Sequence, residues 1–195
     1  MDQLFEIHKP EVPDIDGLLY IPNFISESEH DALLSIIDVQ SWLTDLKRRV
    51  QHYGYKYDYK ARNILLDSYL DELPQWLGDL QEKLFKDGIF KQKPDQAIIN
   101  EYLPGQGISA HTDCVPCFDD VITSLSLGSD VIMQLSKAKK KHDVFLEKRS
   151  LIVLSGEARY KWQHAIPARK SDIVDGVKLE RQKRVSVTFR KVILS

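Results

Sequence analysis

The chain predicts an α+β fold, with N-terminal helices packed against a closed or double-sheet β core. Three observations predict it. Two amphipathic helical segments with clear boundary signals lie before residue 90. From about Gln96 onward the sequence turns to short, evenly spaced strands separated by Gly and Asp turns, the spacing of a closed or two-sheet β architecture. The chain has 195 residues, 43% hydrophobic and 29% charged, which suits one soluble domain around one sizeable core.

The elements follow in order. Residues 1–17 carry Pro10 and Pro13 and show little period, so they read as an extended lead-in. Gly17 to Ile21 forms a short strand. Ser26 and Glu29 form a capping box, a hydroxyl at the N-cap with a glutamate three residues on. The helix that follows runs to about Asp38 and turns Leu33, Leu34, Ile36 and Ile37 inward. A second helix starts near Pro74 and ends near Gly88. Leu73, Leu77, Leu80, Leu84 and Phe85 give it an apolar stripe to lay on a sheet. Strands are expected over residues 97–103, 121–127, 131–135, 144–147, 150–154 and 184–193. Lys137-Ala138-Lys139-Lys140-Lys141 is a basic turn, a solvated hairpin tip that could also meet a phosphate backbone.

Between the helices, Lys47 to Arg62 is rich in cations and places tyrosines at 53, 55, 57 and 59. On a strand that period of two lines one face. Aromatics interleaved with Lys and Arg suit bases that stack and phosphates that pair. The same pattern fits an edge hairpin whose tyrosines cover the core while its lysines face water.

Net charge is −2, so nucleic-acid binding would have to come from a local patch. No apolar run approaches the roughly 20 residues of a membrane helix. The first residues lack the basic and apolar regions of a signal peptide. These readings give an intracellular protein, cytoplasmic or, in a eukaryote, nuclear, with no membrane association and no obligate protein partner evident. Cys114-Val115-Pro116-Cys117 could be a redox pair or half a zinc site. With no second such pair and no helix pattern after it, it reads as two small loop residues.

His111 and Asp113 follow the glycine-bearing turn Pro104-Gly105-Gln106-Gly107. Residues i and i+2 of an extended strand share a face, so imidazole and carboxylate can converge on one point. That is two-thirds of the facial triad of a non-haem iron site, and His164 is available as the third ligand. Asn100 and Tyr102 share a face by the same spacing. In the last strand Arg184, Ser186, Thr188 and Arg190 alternate with Val185, Val187, Phe189 and Lys191. Two arginines framing two hydroxyls make either a solvent-facing side or a carboxylate grip. A 2-oxo acid fits the second option, with its ketone and near carboxylate on the metal and its far carboxylate on an arginine.

Taken together, Asn100-x-Tyr102, Pro104 to Ile108, His111-x-Asp113, Ser126-Leu127-Gly128, Ser155-Gly156 with Arg159, His164 and Arg184-x-Ser186-x-Thr188-x-Arg190 resemble the AlkB family of Fe(II)/2-oxoglutarate dioxygenases. The resemblance covers about residues 94–192. It extends upstream through Pro22-Asn23-Phe24 and Arg49 to Gly54. It implies a double-stranded β-helix (jelly-roll) core over residues 94–195, with helices of the 1–93 extension on its outer sheet, all in one compact domain. It implies Fe(II) on His111, Asp113 and His164, with 2-oxoglutarate and O2 as cosubstrates. Asn100, Tyr102, Arg184, Ser186 and Arg190 would hold 2-oxoglutarate. A nucleotide-recognition lid at about 47–62 would bind DNA or RNA through Arg49, Gln51, Tyr53 and Tyr55, with Arg159 also on the substrate. The implied reaction is oxidative N-dealkylation of an alkylated base. Two positions depart from the repair enzymes: Ser186 stands for an asparagine, and Cys114-Val115 for an acidic residue. Both are more similar to the branch that hydroxylates a wobble uridine in tRNA. A non-catalytic nucleic-acid-binding module is the reading from another class.

Overall fold

A computed structural model describes residues 8–194 except Asp45, Lys60 and Arg62, together with the backbone but not the side chain of Leu66. The first seven residues of the expected lead-in, and Lys60 and Arg62 of the expected lid, lie outside the described residues. The elements run β1 (Leu18–Ile21), α1 (Glu27–Asp38), β2 (Val50–Tyr53), a 3-10 turn (Leu66–Ser68), α2 (Gln75–Lys86), β3 (Gln96–Tyr102), β4 (Ile108–His111) and β5 (Phe118–Gly128). They continue with β6 (Val131–Lys137), β7 (Lys140–Leu146), β8 (Leu151–Leu154), α3 (Gly156–Tyr160), β9 (Gln163–Ile166), β10 (Ser171–Val174), β11 (Val177–Glu180) and β12 (Arg184–Val192).

A major sheet has the strand order β1-β8-β5-β12-β3-β2 and a minor one β4-β9-β6-β7, with β10-β11 as a separate hairpin. All pairings are antiparallel. The N-terminal extension supplies β1 and β2, the two edges of the major sheet, so ladder bonds join it to the core.

Both expected helices form. At α1, Ser26 accepts from Glu29 N–H and the Glu29 carboxylate accepts from Ser26 N–H, which completes the capping box. Ile37 of α1 and Leu77, Leu80 and Leu84 of α2 are buried against Ala97, Ile99, Leu125, Leu127, Val185, Val187 and Phe189 on the outer face of the major sheet. A second apolar cluster lies between the sheets. Phe118, Ile122, Ile152 and Leu154 of the major sheet meet Met133, Leu135 and Ile166 of the minor sheet there.

Strand alternation therefore gives the major sheet two different buried faces. On β12, odd-numbered Val185, Val187 and Phe189 meet the helices, and even-numbered Arg184, Ser186, Thr188 and Arg190 line an internal cavity. All of these residues are buried, so the polar face of β12 is closed to solvent.

The expected strand of four tyrosines is shorter than the period suggests. Strand β2 ends at Tyr53, and Gly54 takes φ +76, where a Cβ would come within 1.8 Å of Asp95 O. That turn resets the alternation, and the tyrosines do not share a face. The four-residue strands β4, β9, β10 and β11 have no clean alternation to announce them.

Candidate active site

The site grows from two antiparallel pairings. On the minor sheet β4 meets β9 with His111 directly opposite His164, and their ring centroids lie 4.3 Å apart. Asp113, two residues beyond the end of β4, turns into the same space. Ligand atoms of His111, Asp113 and His164 all lie within 4.8 Å of one another. His111 Nδ1 is 2.8 Å from Ser109 O. A carbonyl only accepts, so Nδ1 donates to it and Nε2 is the ring nitrogen left for the site.

The electrostatics suit ligation. Burial pushes His164 down to about 4, so its imidazole is neutral at physiological pH. Burial alone would raise the Asp113 carboxyl. The guanidinium groups around it, Arg190 foremost, outweigh that and hold it well below the usual carboxylate range. Arg190 Nη2 donates to Asp113 Oδ1 at 2.9 Å, and Nη1 donates to Gln96 Oε1. Two imidazoles and one carboxylate on one side of a cavity form a facial donor set that fits ferrous iron.

The major sheet supplies the rest of the cavity. Across β3, β12 and β5 the register aligns Asn100, Ser186 and Ser126 in one row and Tyr102, Arg184 and Gly128 in the next. Arg184 is 3% exposed. Its Nη2 donates to Ser126 Oγ at 2.9 Å, its guanidinium lies 5.5 Å from the Tyr102 ring centroid, and its Nε has no partner. Burial pulls its pKa down to about 10. No carboxylate among the described residues pairs with it. An unpaired buried guanidinium is costly, and an anionic guest in the same cavity would relieve that cost. The cavity thus fits a small acid at Arg184 as well as a metal at the triad.

The structure places the other expected contacts variously. Tyr102, Asn100, Arg184, Ser186 and Arg190 line the cavity that holds His111 and His164. Arg49, Gln51 and Tyr53 point the other way, because Gln51 pairs with Ile99 and Tyr53 with Ala97, both of which face the helices. Gln51 is 2% exposed and donates to Ile37 O, and Tyr53 donates to Gln51 and packs edge-on against Trp76. Arg49 forms a two-pronged ion pair with buried Glu101. Tyr55 packs on Tyr69. None of these four lines the cleft in front of the triad. Arg159 does not line that cleft either. It is buried behind the triad, where it donates to the carbonyls of Asp113 and Cys114 and fixes the backbone that aims the Asp113 carboxylate. Cys114 and Cys117 are joined as a disulfide in that loop, a pairing the loop reading left out.

Arg48, Tyr57 and Tyr59 of the basic stretch do wall the cleft, together with Phe118 of β5. Tyr57 packs against both Tyr59 and Phe118, and His52 meets Tyr59 edge-on. His52 Nδ1 accepts from the Tyr57 N–H, and burial lowers its pKa to about 4. Tyr57 and Tyr59 belong to the basic aromatic stretch, but the turn at Gly54 hides their orientation from a period count.

The 2OG-Fe(II) oxygenase superfamily model matches residues 39–190. The "Alkylated DNA repair protein ALKBH8 homolog" of Arabidopsis thaliana is 38% identical over 92% of this chain and 59% of its own length. The mouse (Mus musculus) "tRNA (carboxymethyluridine(34)-5-O)-methyltransferase ALKBH8" is 39% identical over 90% of this chain and 30% of its own length. The chain thus spans less than two thirds of either relative. Among solved structures, OsALKBH1 superposes with a TM-score of 0.63 at 16% identity, over 90% of this chain and 98% of that one, a likeness of fold.

Proposed function

The chain belongs to the 2OG-Fe(II) oxygenase superfamily, within its AlkB family, and from that premise we propose that it oxidises a modified base in nucleic acid. The family makes it an Fe(II)/2-oxoglutarate-dependent dioxygenase. The single observation that carries the assignment of roles is the buried, unpaired Arg184 in the same cavity as His111, Asp113 and His164. His111, Asp113 and His164 would hold iron. Arg184 would bind the far carboxylate of 2-oxoglutarate, with Ser126 and Tyr102 fixing the guanidinium. When bound, iron, 2-oxoglutarate and O2 supply the oxidant that hydroxylates a C–H bond, and 2-oxoglutarate leaves as succinate and carbon dioxide.

The chain's own residues do the positioning. Arg159 and Arg190 hold Asp113 from behind and from the side, so its carboxylate stays ionised and aimed. Asn100, Ser186 and Thr188 present polar groups along the cosubstrate's path. Tyr57, Tyr59 and Phe118 form an aromatic wall against which a flipped base can stack. Hydroxylation of a carbon on a ring nitrogen gives a hemiaminal that collapses to aldehyde and dealkylated base. Hydroxylation of a substituent on a ring carbon gives a stable alcohol.

The dealkylating outcome is the repair-type reading. The hydroxylating outcome on a tRNA wobble nucleoside is favoured by Ser186, by Cys114-Val115 and by the relative named for a tRNA uridine. Aerobic incubation with Fe(II), 2-oxoglutarate and nucleic acids carrying modified bases tests both. Succinate release with loss of a CH2 unit supports dealkylation, and gain of one oxygen supports hydroxylation. No change in any nucleoside removes the nucleic-acid reading.

A further inference from the structure

The basic stretch sets two arginines side by side just before β2, and their side chains go to opposite faces of the major sheet. Arg49 is neutralised by Glu101 on the outer face. Arg48 turns into the cleft, where its Nε donates to Asn100 Oδ1 at 2.8 Å and its guanidinium lies 5.9 Å from the ring centroids of both Tyr59 and Tyr102. No carboxylate among the described residues pairs with it. Asp113 is the only carboxylate among the described residues that line the cleft, and Arg190 already answers it. Lys47 adds another cation at the rim. The base end of the cleft is therefore cationic, and the charged groups it offers a guest are donors.

We propose, on the reading that the substrate is nucleic acid, that Arg48 sets the class of base: it selects a neutral ring presenting carbonyl oxygens, as uracil does, and disfavours rings that alkylation has made cationic. A uracil ring brings two carbonyl acceptors and no charge, and a guanidinium offers a planar fork of donors to such an edge. Cytosine methylated at N3 carries a positive charge and would sit beside Arg48 with no acidic residue to balance it. Like charges a few ångströms apart in a partly exposed cleft repel strongly. Aromatic walls can attract cations, but here the protein's own cations already lie against them. Arg48 sits over Tyr59, and Arg190 lies 4.8 Å from the Phe118 ring centroid.

The test uses two single-stranded oligonucleotides identical except for a central 3-methyluridine or 3-methylcytosine, which carry the same methyl at the same ring position but differ in charge. Binding is measured anaerobically with Fe(II) and 2-oxoglutarate present. The wild-type protein should bind the 3-methyluridine strand roughly tenfold tighter, the size of one charge–charge interaction in such a cleft. Arg48→Gln should abolish that preference and Arg48→Glu should reverse it, with circular dichroism confirming that both variants fold. Equal wild-type affinities overturn the proposal. So does a preference that survives in Arg48→Glu while both strands weaken alike, because Arg48 would then meet a phosphate. A wild-type protein that binds neither strand removes the nucleic-acid reading and this inference with it.

Discussion

The two faces of the major sheet are equally closed to water and built on opposite principles. The outer face is apolar: Val185, Val187 and Phe189 of β12 meet Leu77, Leu80 and Leu84 of α2. The charged and amide side chains there are answered within the protein, Arg49 by Glu101 and Gln51 by Ile37 O. The inner face is lined by Arg184, Ser186, Thr188 and Arg190 and leaves guanidinium Nε atoms without partners. A face whose charged groups are paired within the protein holds the fold together. A face whose bonds are incomplete in the same molecule is shaped for guests. Neighbouring residues one position apart on a strand belong to one role or the other.

The sharpest way to break that comparison is Arg184→Met. Removing the buried guanidinium should raise the 2-oxoglutarate KM at least about a hundredfold, the scale of losing a buried carboxylate partner. It should leave the stability of the metal-free protein unchanged or improved, because a buried unpaired charge is replaced by an apolar chain. A large loss of stability with an unchanged KM would place Arg184 among the structural residues. The mirror experiment is Leu127→Ala on the outer face, where the side chain is fully buried. It should cost about 2–4 kcal/mol in urea unfolding and leave 2-oxoglutarate affinity intact.

Acid should act on the inner side of the sheet. The folded pKa of His52 is lowered to about 4 from an unfolded value of 6.5, mainly by burial and then by Arg190 and Lys56. A depressed folded pKa means that the unfolded chain binds more protons between those values. The stability is therefore present above pH 6.5 and lost as pH falls toward 4. Unfolding of the metal-free protein at pH 7 and at pH 4.5 should differ by on the order of 2 kcal/mol from this residue. His52→Asn, which keeps an acceptor for the Tyr57 N–H but does not titrate, should flatten that dependence. An unchanged slope would mean that His52 is free to protonate in the folded protein.

The smallest of these effects separates two tyrosines from one stretch. Tyr57→Ala removes part of the aromatic wall and should weaken oligonucleotide binding by about 1–3 kcal/mol, the range for one base stacked on an aromatic ring. Tyr53→Ala should lower thermal stability and leave binding untouched, since its ring packs on Trp76 behind the sheet. The same loss of binding in both variants would mean that the outer face also meets nucleic acid.

Much of the fold and the core of the site could be read from the residues. The capping box at Ser26, the apolar stripe of α2 and the alternation of β12 each rest on a local rule that tertiary structure did not override. The meeting of His111 and His164 was readable only as a spacing with an available partner, because the pairing of β4 with β9 is a long-range fact. The basic aromatic stretch over residues 47–62 was legible in composition and illegible in direction. Nothing local in Arg48-Arg49-Val50-Gln51 tells which alternate residues face the cleft; that is set by the register of β2 on β3, where Val50 opposes Asn100. The left-handed turn at Gly54 then breaks the period of the tyrosines. The position of Arg159 was hidden for a related reason, since an arginine near a site in sequence can serve the backbone behind it.

One measurement bears most directly on the centre of this account. Anaerobic titration of the protein with Fe(II) and then 2-oxoglutarate, followed by the visible charge-transfer absorption of a 2-oxo acid chelated to ferrous iron, reports the metal triad and the acid grip together. The wild-type protein should develop the band with one equivalent of each, His164→Ala should fail to develop it, and Arg184→Met should need far more 2-oxoglutarate. A wild-type protein that binds iron without developing the band, or develops it equally well in Arg184→Met, would contradict the pairing of triad and arginine in one cavity.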